Sequence, residues 1–258
     1  MKNIFIYFFL LCCCFQAKSQ HFQFVQWSDP QLGFADFAKE LANAKKAIVK
    51  INELKPDFVI ICGDMIHTPN DTCLKIMKKT LKGLKMPVYF VPGNHDLPTT
   101  DDENLKKYRK YYSKDFSNFD HKGVMFFLLN TQLWKHPNII QTKKQENWLF
   151  KSIKEAAKQN KTIIVAGHIP LFVKNVDEPE YYNNYPIQIR KRVINLLDSC
   201  HVNLYLSGHL HYFLENSFKN VHFVTSETTS VNFDLKPPGI QLWTVKNKIF
   251  THQFVELN

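Results

Sequence analysis

The sequence predicts an α/β protein whose sheets are covered by helices. Two patterns carry that expectation. Apolar, β-branched and aromatic runs of strand length alternate with longer amphipathic stretches, and the last part, 221 to 255, reads as strands without helices. Size is the third observation: 258 residues, 45% of them hydrophobic, can bury a substantial core as one catalytic domain.

The first residues differ in kind from the rest. Lys2 is followed by an unbroken apolar run from Ile4 to Phe15, then by Ala17 and Ser19, which fits a secretory signal peptide, residues 1–19, cut after Ser19. The run falls short of the roughly 20 residues that span a bilayer, so a transmembrane anchor is disfavoured. Cys12, Cys13 and Cys14 follow Leu11 rather than a small residue, which does not suit a lipoprotein signal. The expectation is an exported, periplasmic or secreted, domain of residues 20–258 with no membrane span after cleavage.

Within that domain, strand-like runs cover 22–28, 57–62, 87–91, 124–130, 161–167 and 202–207. Between them, helix-like stretches cover 35–54, 72–84, 102–112, 143–159 and 187–200. Pro179 to Pro186, with Tyr181, Tyr182 and Tyr185, is the longest turn-rich insertion and suits a loop near a site.

Cleavage removes Lys2 and Lys18, which takes the formal charge from +10 to +8, and leaves Cys62, Cys73 and Cys200. Three thiols allow at most one disulfide, so this is no disulfide scaffold. Cys62, after Phe58-Val59-Ile60-Ile61, reads as a small core residue. The densest basic clusters, Lys106 to Lys110 and Arg190-Lys191-Arg192, fall in helix-like stretches and read as solvated faces; no nucleic acid partner is expected.

The informative feature is where the strands end. Five of them terminate in Asp29, in Gly63-Asp64, in Gly93-Asn94-His95-Asp96, in Gly167-His168 and in Gly208-His209-Leu210-His211. The carboxyl ends of strands are where α/β sheets build their sites. A lone Asp there is usually a turn or a cap, but five such endings together mark a site. The donors are two carboxylates (Asp29, Asp64), an amide (Asn94) and three imidazoles (His168, His209, His211). Oxygen and nitrogen without thiolate suit Mn, Fe or Zn. Six donors are too many for one open catalytic ion and suit two that share a ligand, with Asp64 as the candidate bridge. His209 and His211, two residues apart, would point the same way in an extended segment, and each could serve one ion.

The blocks GDMIH from 63, GNHD from 93, GHIP from 167 and GHLH from 208 resemble, in this order, the signature set of the calcineurin-like metallophosphoesterases. The resemblance spans roughly residues 22 to 255. It implies a four-layer α-β-β-α sandwich of two mixed β-sheets and a dinuclear centre of divalent or trivalent ions. Metal one would take Asp29, Asp64, His211 and possibly Gln31; metal two would take Asp64, Asn94, His168 and His209. Hydroxide between the ions would attack phosphorus in line. His95 would protonate the leaving oxygen, with Asp96 orienting its ring, and His67 faces the same region.

The family usually opens with Asp-x-His, where this chain has Asp29-Pro30-Gln31. Further features, among them Asn130-Thr131-Gln132, Gln145 and the tyrosine-rich loop, are similar to a calcineurin-like phosphoesterase branch whose animal members are described as serine/threonine phosphatases and in which Gln at this place is usual. An amide oxygen binds more weakly than imidazole, so looser occupancy of the first metal is expected. The implied function is hydrolysis of a phosphate ester, a phosphomonoester first, by a monomer. A phosphodiesterase or nucleotide pyrophosphatase on the same core and a non-catalytic phosphate-binding protein are the alternatives.

Overall fold

The computed structural model describes residues 21–257; the signal peptide expected at 1–19 lies outside the described residues. The chain builds two mixed sheets. The first has the order β11-β10-β1-β2-β3 and the second β4-β5-β6-β7-β9-β8. The first sheet uses β1 (His21–Trp27), β2 (Phe58–Ile61), β3 (Val88–Phe90), β10 (Gly239–Lys246) and β11 (Ile249–Glu256). The second uses β4 (Ser117–His121), β5 (Val124–Leu128), β6 (Thr162–Ala166), β7 (Leu204–Ser207), β8 (Leu214–Phe218) and β9 (Val221–Thr225). Six helices connect them: α1 (Phe37–Leu54), α2 (Asp71–Leu81), α3 (Asp102–Tyr111), α4 (Gln132–Lys135), α5 (Ile139–Lys158) and α6 (Ile187–Ser199).

Side-chain alternation along the strands fixes the layers. In β1, Phe22 and Phe24 face one cluster while Val25 and Trp27 face another; β2 repeats this with Phe58 and Ile60 against Val59 and Ile61. On the second sheet Phe126, Ile164 and Leu206 join Phe24 and Phe58 in the middle, and Phe127, Val165 and Tyr205 turn outward. Three apolar layers therefore separate four layers of structure: α1 to α3, the first sheet, the second sheet, and α4 to α6. Strands buried on both faces explain the near-continuous apolar runs of the sequence.

The connections β1-α1-β2 and β2-α2-β3 join parallel neighbours, as do β5-α5-β6 and β6-α6-β7. Parallel strands send their carboxyl ends the same way. The α1 connection is held by Asp36, whose carboxylate accepts from the Ala38 and Lys39 N–H groups as the N-cap. Among the described residues no helix is long and apolar enough to cross a membrane, and Cys62, Cys73 and Cys200 are free thiols. Cys62 is fully buried in the layer between the sheets, as its position predicted.

Candidate metal centre

Backbone hydrogen bonds zip the loops at the strand ends together. Asp29 N–H donates to Gly63 O at 3.2 Å and Gln31 N–H to Asp64 O at 2.8 Å, which joins the loops after β1 and β2. Gly208 N–H donates to His168 O at 2.9 Å, which does the same for β6 and β7. Across the sheets, the His209 N–H donates to Asp29 Oδ2 at 2.9 Å. All six donors read from the strand ends, with Gln31, meet at one end of the sandwich.

The local backbone is unusual there. Asp29, Gln31, Asp64, His209 and His211 all take positive φ, between 38° and 73°. Non-glycine residues rarely adopt that region, and when they do they cluster at functional sites. The segment carrying His209 and His211 is thus a turn and not extended, yet each ring reaches a different side of the site. Two glycines make room for the cluster: Gly63, at φ +92°, would press a Cβ into the His168 ring, and a Cβ on Gly93 would meet the Asp64 carboxylate.

Each imidazole is aimed by an acceptor behind it. His168 Nδ1 donates to Cys62 O at 2.7 Å, His211 Nδ1 to Val231 O at 2.8 Å, and a backbone bond from Tyr182 holds His209. This is the carbonyl-to-imidazole relay that fixes the tautomer of metal-binding histidines. The Nε2 atom of His168 faces Asp64 Oδ2 at 3.2 Å and Asn94 Oδ1 at 3.0 Å. Ligand atoms of Asp64, His168 and His209 lie within 4.8 Å of one another. On the other side, His211 Nε2 and Asp29 Oδ1 are 3.6 Å apart, too far for a good hydrogen bond.

The donors fit cations. Asp29 Oδ1, Gln31 Oε1 and His209 Nε2 are buried acceptors with no hydrogen-bond partner, an arrangement that is costly unless something positive meets them. Burial pushes the His209 imidazole down to about 3, with His168 adding to the effect, so the ring stays neutral and its Nε2 lone pair is available. Burial also opposes protonation of His168, but the Asp64 carboxylate outweighs it and raises that ring to about 9. A cation meeting Nε2 displaces this proton.

Asp96 behaves differently from expectation. The His95 N–H donates to Asp64 Oδ1 at 2.8 Å, and its ring Nδ1 donates to the His67 carbonyl at 3.0 Å, with the two imidazoles stacked at 4.3 Å. Asp96 does not orient that ring. Its buried carboxylate accepts from Met65 N–H at 3.0 Å and Gly93 N–H at 2.9 Å, which ties the loops after β2 and β3. Adjacent residues point different ways, so sequence neighbourhood was a poor guide to contact.

The tyrosine-rich insertion does reach the site. Tyr182 OH accepts from Asn94 Nδ2 at 3.0 Å, and its ring lies 4.8 Å from that of His209. Arg190 holds this loop: it is fully buried, not part of a solvated basic face, and donates to the carbonyls of Val176, Glu178 and Tyr185 at 2.7–2.8 Å. The sequence reading missed Phe34 and Phe233, whose rings flank His211 at 5.5 and 4.6 Å. The strand-end pattern carries no signal for them.

Buried oxygen and nitrogen donors gathered at the common end of two face-to-face mixed sheets define a class: enzymes that use metal ions for hydrolytic chemistry. The match to the calcineurin-like phosphoesterase family model over residues 22–213 is decisive, and the chain belongs to that family. It is a metal-dependent phosphoesterase, and a phosphate ester is its substrate. Among curated relatives, the human serine/threonine-protein phosphatase CPPED1 is 26% identical, over 92% of this chain and 84% of that protein. A probable glycerophosphodiester phosphodiesterase GpdQ of Arcobacter nitrofigilis is 27% identical over 84% of each. A crystal structure of a dimetal phosphatase from Danio rerio shares the fold with a TM-score of 0.71, covering 92% of this chain and 96% of that one at 13% identity.

Proposed function

We propose that the chain hydrolyses phosphate monoesters with two divalent cations, one at Asp29, Asp64, His211 and Gln31, the other at Asp64, Asn94, His168 and His209. Bound at these residues, such cations would lower the pKa of water and offset the charge that develops on phosphoryl oxygens. The observation that carries the reading is the trio of unpartnered buried acceptors, Asp29 Oδ1, Gln31 Oε1 and His209 Nε2, at the strand-end loops. The remaining steps fall to protein groups. His95 donates a hydrogen bond from Nδ1–H to the His67 carbonyl, so proton exchange with the leaving oxygen falls to Nε2. Its N–H on Asp64 Oδ1 keeps the ring beside that carboxylate. Asp96 acts through the backbone it braces.

Coverage of most of a protein named as a serine/threonine phosphatase supports the monoester reading and makes phosphoseryl and phosphothreonyl peptides the first protein substrates to try. With added Mn²⁺ the purified protein should hydrolyse an aryl phosphomonoester and lose that activity to a chelator. The variant His95→Ala should lose about 10²–10⁴ in kcat while calorimetry shows unchanged Mn²⁺ binding. Faster turnover of a bis-aryl diester than of the monoester would transfer the assignment to diester hydrolysis, the activity named for the Arcobacter relative. No turnover of either would leave a phosphate-binding protein. We also infer that residues 20–258 are exported after cleavage behind Ser19 and act as a monomer; N-terminal sequencing and sedimentation of the mature protein test both.

A further inference from the structure

The rings around the site are not evenly distributed. A continuous series of ring contacts runs from His95 to His67 at 4.3 Å, from His67 to Phe34 at 5.3 Å, from Phe34 to Phe233 at 6.4 Å, and from Phe233 to His211 at 4.6 Å. Phe34 and Phe233 thus form an apolar wall that connects to His95 through the His67 ring and ends on His211. Phe233 stacks on His211 at an interplanar angle of 11° and leaves 59% of its surface to solvent. Phe34, half-buried, and Phe233, exposed, together put an apolar face at the rim of a polar site.

Both rings are held in position by the fold. Glu40, almost fully buried, spends its carboxylate on the N–H groups of Gly33, Phe34, Ala35 and Asp36 at 2.6–3.1 Å, which fixes the loop that presents Phe34. Phe233 N–H donates to His211 O at 2.9 Å, and buried Asn232 accepts from Thr228 N–H and donates to Pro237 O, both at 2.9 Å. Rings carried on loops with this many internal bonds are preorganised, which lowers the cost of receiving a ligand.

We propose that Phe34 and Phe233 form the leaving-group subsite, and that among phosphate monoesters it favours those of planar aromatic alcohols over those of short aliphatic ones. The inference rests on the phosphomonoesterase reading and on His95 as the group facing the leaving oxygen. A ring bonded to that oxygen starts beside His95 and lies along the wall in offset or edge contact at the usual 4.5–7 Å. A short aliphatic alcohol such as a serine side chain has no face to place there. The same chemistry could reach the site as a small aryl phosphate or as a phosphotyrosyl side chain.

The test compares phenyl phosphate with 2-naphthyl phosphate, whose leaving groups are of similar acidity but different area, in the wild-type protein, Phe233→Ala and Phe233→Trp. The wild type should favour the naphthyl ester in kcat/KM. The alanine variant should lower that preference about three- to tenfold, chiefly through KM, while the tryptophan variant keeps it. Equilibrium binding of naphthylmethylphosphonate against methylphosphonate should follow the same order without turnover. Phe233 is exposed but its ring also stacks on His211, so the ratio between the two esters within each variant, not the rate on either one, reports on the wall. A naphthyl preference that is absent, or unchanged in Phe233→Ala, overturns the subsite and leaves the phosphomonoesterase reading standing; absence of turnover on both esters overturns that reading as well. A phosphotyrosyl peptide that beats its phosphoseryl counterpart and slows in Phe233→Ala identifies proteins as the source, and the effect on the small ester alone identifies free aryl phosphates.

Discussion

Gly93→Ala is the most direct probe of how tightly the site is packed. A Cβ at this position would sit 2.7 Å from Cγ of Asp64. The same Cβ would overlap Asp64 Oδ1 and the Asp64 backbone N; nonbonded carbons rest at about 3.5 Å or more, so the carboxylate must retreat by at least about 0.8 Å and the backbone must shift with it. It has little freedom, because the His95 N–H holds it at 2.8 Å and His168 Nε2 at 3.2 Å. Overpacking of this kind costs about 1–3 kcal/mol of stability, and a displacement near 1 Å at a reacting centre costs about 10²-fold in rate. Thermal melting and kcat on an aryl phosphate measure these two quantities, and calorimetric Mn²⁺ titration reads the displacement of Asp64. Gly83→Ala, whose added Cβ would meet the Ile48 side chain at 3.1 Å away from the site, is the control. Wild-type Mn²⁺ affinity in Gly93→Ala would refute the reasoning, since Asp64 could then move without consequence.

Arg190→Met should lower the melting temperature by several degrees, because hydrogen bonds from a charged donor contribute about 1.5–3 kcal/mol each and three buried carbonyls lose theirs; unchanged stability would show that the loop holds itself. Tyr182→Phe removes the acceptor for Asn94 Nδ2 and should weaken Mn²⁺ binding by about tenfold, measured by titration, with no change if Asn94 needs no support. Gln31→His should tighten occupancy of the first cation, and unchanged affinity in a two-site titration would remove Gln31 from the ligand set. Asp57 is held below the usual carboxylate range: burial opposes this, but Lys122, the Gln23 N–H and His121 outweigh it. Its contribution is therefore present above the unfolded value of 3.8 and lost as pH falls through the lower folded value, so Asp57→Asn should melt earlier at neutral pH by under about 1 kcal/mol, with the difference vanishing in acid.

How much of this was legible depended on where the signal resides. The paired sheets and most helices follow from apolar runs because β1, β2, β5, β6 and β7 are buried on both faces. The strands that escaped notice, β4 and β8, are the polar edges of the second sheet, where SNFDH and LENSF alternate between half-buried and exposed. Helix α5 begins before the residue 143 that periodicity suggests, since Ile139 and Ile140 stand 83% and 75% exposed and break the amphipathic pattern. Metal-site candidates were readable because each is a polar residue just after a strand, mostly behind a glycine. Their supports were not: the carbonyls of Cys62, His67 and Val231 exist whatever side chain is attached.

The proposed cation donors come from both halves of the sandwich, Asp29, Asp64 and Asn94 from one sheet and His168, His209 and His211 from the other. An ion seated among them is a rivet as much as a reagent. Anything that binds only the folded chain stabilises it, by about 2.7 kcal/mol at a hundredfold excess over Kd. Arming the enzyme and fastening the two halves are then one equilibrium. Scarcity of the metal would show up as chains lost to proteolysis, with few intact idle copies left to accumulate.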